Sequence, residues 1–326
     1  MEYTIAMLLT LTAGADDDGR RLDRILRKAL PALPLSAIHR LLRQGCVRVN
    51  GETAQADRRV QAGQTITVPE LSLPQKAPGQ KPPRRPETQA NVPFKLEILF
   101  EGEGLLILNK PAGLAVHGER SLEGQVLSYL APKLSPSLSF KPGPLHRLDR
   151  PSSGVIAFSA NLQGAQIFSE MMRERKLKKF YLALVQGHIE TEELWQDELS
   201  RDRNLKKTFS GKEAANSKTA ITRVKPLAQN TACTLILAEI ETGRSHQIRA
   251  QAAGRGHPLL YDKKYGAGND SGGGFLLHAW RMEFPKDAAL TGFPDFVVAP
   301  VPNYFLEKMQ KLFGKYIITS EPEADT

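Results

Sequence analysis

Cysteine is nearly missing from this chain. Its two, Cys46 and Cys233, lie far apart, and neither belongs to a C-x-x-C pair or a His/Cys cluster. That excludes a disulfide framework and a thiolate-held metal. Both read as reduced structural thiols, as expected of a cytoplasmic protein. Long apolar runs are lacking too. The most apolar early stretch, Ile5 to Ala15, is too short to span a bilayer and has no basic region before it, so neither a membrane anchor nor an export signal is expected. No H-E-x-x-H and no G-x-S-x-G occurs, and Ser210-Gly-Lys-Glu213 lacks the upstream Gly and the hydroxyl of a P-loop. The glycine-rich run Gly266 to Gly274 leads into an apolar strand rather than a helix N-terminus and reads as a surface loop. The seven histidines are scattered, each with a structural reading in front, so no metal and no cofactor is expected.

Acidic residues are the scarcer charge. Against 44 Lys and Arg stand 35 Asp and Glu, a net charge of +9 that attracts polyanions without choosing among RNA, DNA and anionic membrane. An apolar fraction of 41% and a charged fraction of 24% are those of an ordinary globular protein, and 326 residues suffice for a large core plus a small domain. The basic excess is concentrated, with ten Lys/Arg against three Asp/Glu between Arg20 and Val68. There Leu22, Ile25, Leu26 and Ala29 recur at helical spacing, as do Ile38, Leu41 and Leu42, predicting two short amphipathic helices. Cys46 to Gly51 alternates and ends in Asn-Gly, a strand running into a tight turn, and a further strand is expected at Thr65 to Val68. Arg21, Arg24, Lys28, Arg40, Arg43 and Arg48 fall largely off the apolar stripes. They can be merely solvated helix faces, but their concentration argues for a polyanion surface. The segment resembles the S4 RNA-binding domain, from Arg21-Leu-Asp-Arg-Ile-Leu26 through Arg40-Leu-Leu-Arg-Gln-Gly45 to Val47-Arg-Val-Asn-Gly51. The resemblance implies a small module that holds structured RNA by its phosphates.

Between Pro69 and Pro93 seven prolines with no apolar periodicity read as a semi-extended spacer. Beyond it short strands alternate with helices: a hairpin around Glu101 to Gly104, a helix at Gly164 to Arg173, and strands at Phe180 to Val185 and Thr234 to Glu241. That pattern predicts an α+β domain rather than a doubly wound sheet. The expected layout is an extension (1–19), an S4-like domain (20–68), a Pro-rich linker (69–93), a catalytic domain (94–320) and an acidic tail (321–326).

The segment that could carry chemistry is Leu145-His-Arg-Leu-Asp-Arg-Pro-Ser-Ser-Gly154, followed by the apolar run Val155 to Phe158. It sets Asp149 between two arginines, where a turn meets a buried strand, and the flanking charges favour its ionised form. Read from spacing alone, Asp149 can equally be pairing with Arg147 or Arg150 or capping the turn. The segment resembles the H-R-L-D-x-x-T-S-G signature of the RluA-type pseudouridine synthases, with Ser152 for the usual Thr. Asn109 to His117, Lys179 to Gly187, Thr242-Gly-Arg-Ser-His-Gln-Ile-Arg249 and Leu277-His-Ala-Trp280 resemble that family's other motifs in the same order. Gln251 stands where the family usually has His, and Tyr261 where Gly commonly precedes the acid matched by Asp262.

The resemblance implies a mixed, largely antiparallel sheet with a central cleft and an RNA uridine-to-pseudouridine isomerase that needs no metal or redox group. It also implies Asp149 as nucleophile, acting on the ribose C1′, on the base or by assisting elimination. Arg249 becomes the bidentate partner that orients it, although an isolated arginine after a Ser245 cap would be a helix-surface residue. Tyr181 becomes the tyrosine against the target base, which must be extruded from its stack. Arg147, with His146 beside it, becomes the group that fills the vacated space or contacts RNA. The form of Leu35 to Arg43 is similar to that of enzymes acting on large-subunit ribosomal RNA, with transfer RNA as the other substrate. A non-catalytic S4-bearing assembly factor and a base-releasing glycosidase are the competing readings; the latter generally needs a second carboxylate, and none is evident in the motif. A monomer is expected.

Overall fold

The computed structural model describes residues 8–69, 95–202, 207–210, 217–266, 274–286 and 292–314. The acidic tail, the linker apart from Pro69, the start of the amino-terminal extension and most of the Gly266–Gly274 run lie outside these residues. The chain divides into two units, one drawing on residues up to Lys95 with Leu127–Gly143 and Ala160–Gln163, the other on the remainder. Among the described residues no helix is long and apolar enough to cross a membrane.

In the first unit, β1 (Leu8–Thr12), β6 (Thr65–Pro69), β3 (Arg48–Val49) and β4 (Glu52–Thr53) form a sheet in that order, and β2 (Arg20–Arg21) pairs β5 (Arg59–Val60). The Asn-Gly signal is realised between β3 and β4, where Asn50 and Gly51 take φ of 51° and 85°, as a two-residue hairpin turn requires. Helices α1 (Leu22–Ala29) and α2 (Leu35–Arg43) bury Leu22, Ile25, Leu26, Ile38, Leu41 and Leu42 against Val47, Val60 and Ile66. Their other faces leave Arg24, Lys28, Arg40 and Arg43 exposed, as is Arg48, while Arg21 is half-buried and paired to Asp23 at 2.9 Å. Residues 127–143 group with the amino-terminal unit. One physical reason is the buried Asp17 carboxylate, which accepts from the amides of Leu138 (2.8 Å) and Ser139 (3.0 Å) and from the hydroxyls of Ser137 and Ser139.

The second unit is built on a ten-stranded sheet: β12 (Lys207–Ser210), β11 (Glu193–Asp202), β13 (Lys218–Gln229), β14 (Cys233–Ile240), β10 (Lys178–Gln186), β15 (Leu277–Glu283), β9 (Ser153–Ser159), β8 (Leu105–Lys110) and β7 (Ile98–Gly102), with β16 (Phe296–Val298) also on β15. Helices α3 (Leu122–Leu130), α4 (Leu162–Arg173), α5 (Gln247–Gly254) and α6 (Asn303–Phe313) complete the elements. Every strand pairing in it is antiparallel except β9 with β15, so the expected mixed, largely antiparallel α+β sheet is what forms. Strands β8, β9 and β10 are apolar on both faces and almost wholly buried, as central strands must be.

Candidate active site

Register brings the chemistry-bearing segments into one row across the sheet. Lys110 pairs with Gly154, Gly154 with Ala279, Ala279 with Tyr181 and Tyr181 with Ala238. Gly154 is required there: its φ is +107°, and a Cβ would lie 2.1 Å from the Ala279 carbonyl oxygen. The parallel pair is pinned by the buried His278. Its Nε2 donates to the Ala299 carbonyl at 3.1 Å, and its Nδ1 accepts from the Ser153 hydroxyl at 2.9 Å. Burial lowers its pKa from 6.5 to about 4, which keeps the ring neutral.

Asp149 sits in the turn just before β9, its backbone carbonyl accepting the Ser152 amide at 3.0 Å. Neither flanking arginine takes its carboxylate. Arg150 Nε donates to the Gly113 carbonyl at 2.8 Å, and Arg147 is exposed. The partner is Arg249, whose Nη1 donates to Asp149 Oδ2 at 2.7 Å. Arg249 is not a surface residue. Helix α5 starts after His246, which has φ of 56° and makes no side-chain cap, while the Ser245 hydroxyl accepts from Arg201 at 3.1 Å. The guanidinium is 6% exposed, with Cζ 4.1 Å from the Phe275 ring centroid and 5.0 Å from that of Tyr265.

The bidentate fork expected on Asp149 is spent elsewhere. Arg249 Nε and Nη2 donate to the two oxygens of buried Asp262 at 2.6 and 2.9 Å, leaving a single nitrogen for Asp149. Asp262 thus neutralises a buried cation and fixes its plane, a role that sequence reasoning missed. The available signal was that a buried arginine facing a working carboxylate needs a second anion.

Lys110 and His246 were missed as well. Fully buried Lys110 donates from Nζ to the carbonyls of Pro111 (2.8 Å), Leu114 (2.8 Å) and Arg150 (3.2 Å), tying the preceding segment to the residue after Asp149. Burial lowers its pKa to about 8, partly opposed by the charge of Asp149. His246 Nε2 lies 3.7 Å from Asp149 Oδ1, and its Nδ1 is 3.0 Å from the Tyr265 hydroxyl. Burial, partly opposed by Asp149, lowers its pKa to about 4.

Tyr181 is 7% exposed, and burial together with the Asp149 charge pushes its ionisation upward. His146, expected among the RNA contacts, faces inward instead. Its ring stacks on Phe168, its Nε2 accepts the Ala157 amide at 3.0 Å, and burial lowers its pKa to about 3. It props the chain leading into β9. Gln251, the departure noted after the arginine motif, is buried and satisfied: it accepts from Thr222 Oγ1 at 2.6 Å and donates to Asp197 at 2.8 Å, tying α5 to β13 and β11.

Residues 104–254 match the family described as RNA pseudouridylate synthase, and residues 20–66 match the S4 domain. The chain is 31% identical to the ribosomal large subunit pseudouridine synthase C of Escherichia coli (strain K12), over 91% of this chain and 94% of that protein. It is 33% identical to the protein of the same name from Vibrio cholerae, over 77% of this chain and 79% of that one. Among solved structures, human RNA pseudouridylate synthase domain containing 4 superposes with a TM-score of 0.54 at 22% identity, covering 66% of this chain and 92% of the other, a likeness of fold.

Proposed function

The chain belongs to the RNA pseudouridylate synthase family and is an RNA pseudouridine synthase, and we propose that it acts on large-subunit ribosomal RNA with Asp149 as its nucleophile. The substrate class rests on the relatives, whose names specify the large ribosomal subunit. The site reading is carried by one observation, the 2.7 Å bond from the buried Arg249 to Asp149 Oδ2.

The reaction breaks the bond between uridine N1 and the ribose C1′, turns the base, and joins C5 to C1′. The C5 proton leaves and N1 gains one, so the reaction is a redox-neutral isomerisation. A carboxylate that initiates it must be ionised and held still. Arg249 supplies both conditions with a charge that persists at any working pH. One oxygen is held by Nη1, which leaves Oδ1 available to the reacting atom.

Tyr181 stays a neutral phenol, so its contribution is packing against the base and a hydrogen bond rather than service as a standing tyrosinate. Lys110 and Asp262 are positioning residues, one holding the backbone after Asp149 and the other the guanidinium. Arg147 enters the stack that the extruded nucleotide leaves, a role supported by its exposure two residues before the nucleophile. The exposed basic faces of α1 and α2 supply phosphate contacts. We take the acting form to be a cytoplasmic monomer.

The test is product formation by the purified protein on unmodified transcripts of large-subunit RNA and of transfer RNA. Pseudouridine in the ribosomal transcript alone is expected. Product only in transfer RNA overturns the substrate, and none in either overturns the assignment.

A further inference from the structure

The geometry points to Phe209 and Lys207 as a platform on which an unpaired base of the RNA, outside the reacting nucleotide, stacks beside the site. This rests on the RNA-modifying function proposed above. Strand β12 is the terminal strand of the large sheet. Its alternation turns Thr208 inward, where the amide donates to the Tyr265 hydroxyl at 2.9 Å and the side chain to the Ser245 carbonyl at 2.9 Å. Phe209, the next residue, is left 41% exposed.

Two further aromatics are exposed among the described residues, and both are engaged. Phe296 lies under Arg281 at 4.2 Å, and the Tyr304 hydroxyl is 3.1 Å from Ser153 Oγ. Among the described residues, Phe209 has a cation at its side, Lys207 Nζ, 5.3 Å from the ring centroid. The same ammonium lies 5.0 Å from the Tyr265 ring, whose centroid is also 5.0 Å from Arg249 Cζ. An unbroken run of neighbouring groups therefore leads from Asp149 through Arg249, Tyr265 and Lys207 to Phe209.

An accessible ring flanked by a cation next to a carboxylate site matches an unpaired nucleotide, with its base on the ring and its phosphate on the ammonium. A protein partner would find the same ring, but the flanking Lys207 favours a polyanion.

The experiment uses the full chain and an unmodified large-subunit RNA transcript, with affinity read by filter retention and product measured in parallel. Phe209→Ala should weaken binding roughly 5- to 100-fold, the range for loss of one stacked base. Turnover at saturating RNA and the melting temperature should be unchanged. Phe209→Trp should bind like the native protein, whereas Phe209→Leu, equally apolar but without a π-face, should not. Native affinity in Phe209→Ala, or full rescue by Leu, overturns the platform. Native protein that binds and responds to Phe209→Ala yet forms no pseudouridine overturns the proposed function and leaves the platform standing.

Discussion

Arg249 reaches Asp149 through Nη1 alone, at 2.7 Å, because Asp262 occupies the rest of its guanidinium. The arginine is therefore a bridge between two carboxylates rather than the clamp of one.

That bridge sets different costs for its two ends. Asp262→Ala leaves a buried guanidinium half-neutralised and should destabilise the protein by about 3–5 kcal/mol in denaturant unfolding. Arg249→Lys keeps a positive charge but cannot serve both acids with a planar fork. It should fold, with turnover reduced roughly 100-fold and RNA affinity little changed. Native turnover in Arg249→Lys would show that orientation of Asp149 is not its task.

Gly154 makes a second, sharper case. Alanine there must adopt φ of +107° with a Cβ 2.1 Å from a carbonyl oxygen. Gly154→Ala should cost roughly 2–5 kcal/mol or prevent folding. Gly124→Ala, in α3 with nothing within 4 Å of the added Cβ, should be neutral or stabilising by up to about 1 kcal/mol. Equal melting temperatures for the two variants would contradict the register row.

Much of this was legible in the sequence. The apolar spacing of Leu22, Ile25 and Leu26, the Asn50-Gly51 turn and the hairpin turn at Glu103-Gly104, with φ of 49° and 74°, are local features, and local patterns predict them. The parallel pairing of β9 with β15 was not, because residues 153 and 278 are joined only by the fold. For the same reason the partners of Lys110, Asp262 and His278 could not be read, although their motifs could. His146 shows the converse: adjacency in a motif to the exposed Arg147 did not foretell that its own ring stacks on Phe168, a contact made only by the fold.

Three histidines, His278 buried and His146 and His246 half-buried, predict the pH dependence of stability. His146, His246 and His278 have pKa values lowered from 6.5 to about 3, 4 and 4 by burial. Between pH 6.5 and about 4 the unfolded chain binds protons that the native state refuses, so stability is full above pH 6.5 and falls as pH drops through that window. The melting temperature should decline from pH 7 to pH 5, less steeply in His278→Asn than in the native protein. A flat profile would mean that these rings protonate in the folded state.

The basic faces of α1 and α2 should act through phosphates. Changing Arg24, Lys28, Arg40 and Arg43 together to Gln should weaken binding to ribosomal RNA. It should also lower the slope of log affinity against log salt by about 0.7–0.9 for each phosphate that the module no longer neutralises. These side chains are exposed, so folding should survive. An unchanged slope would remove the module from the RNA interface.

Nucleophile and substrate are tested together by pseudouridine mapping of ribosomal and transfer RNA from cells lacking this gene, complemented with the native chain or with Asp149→Asn. Uridines in large-subunit RNA should lose modification on deletion, regain it with the native chain, and stay unmodified with Asp149→Asn although the variant still binds RNA. Restoration by Asp149→Asn, or loss confined to transfer RNA, would contradict this.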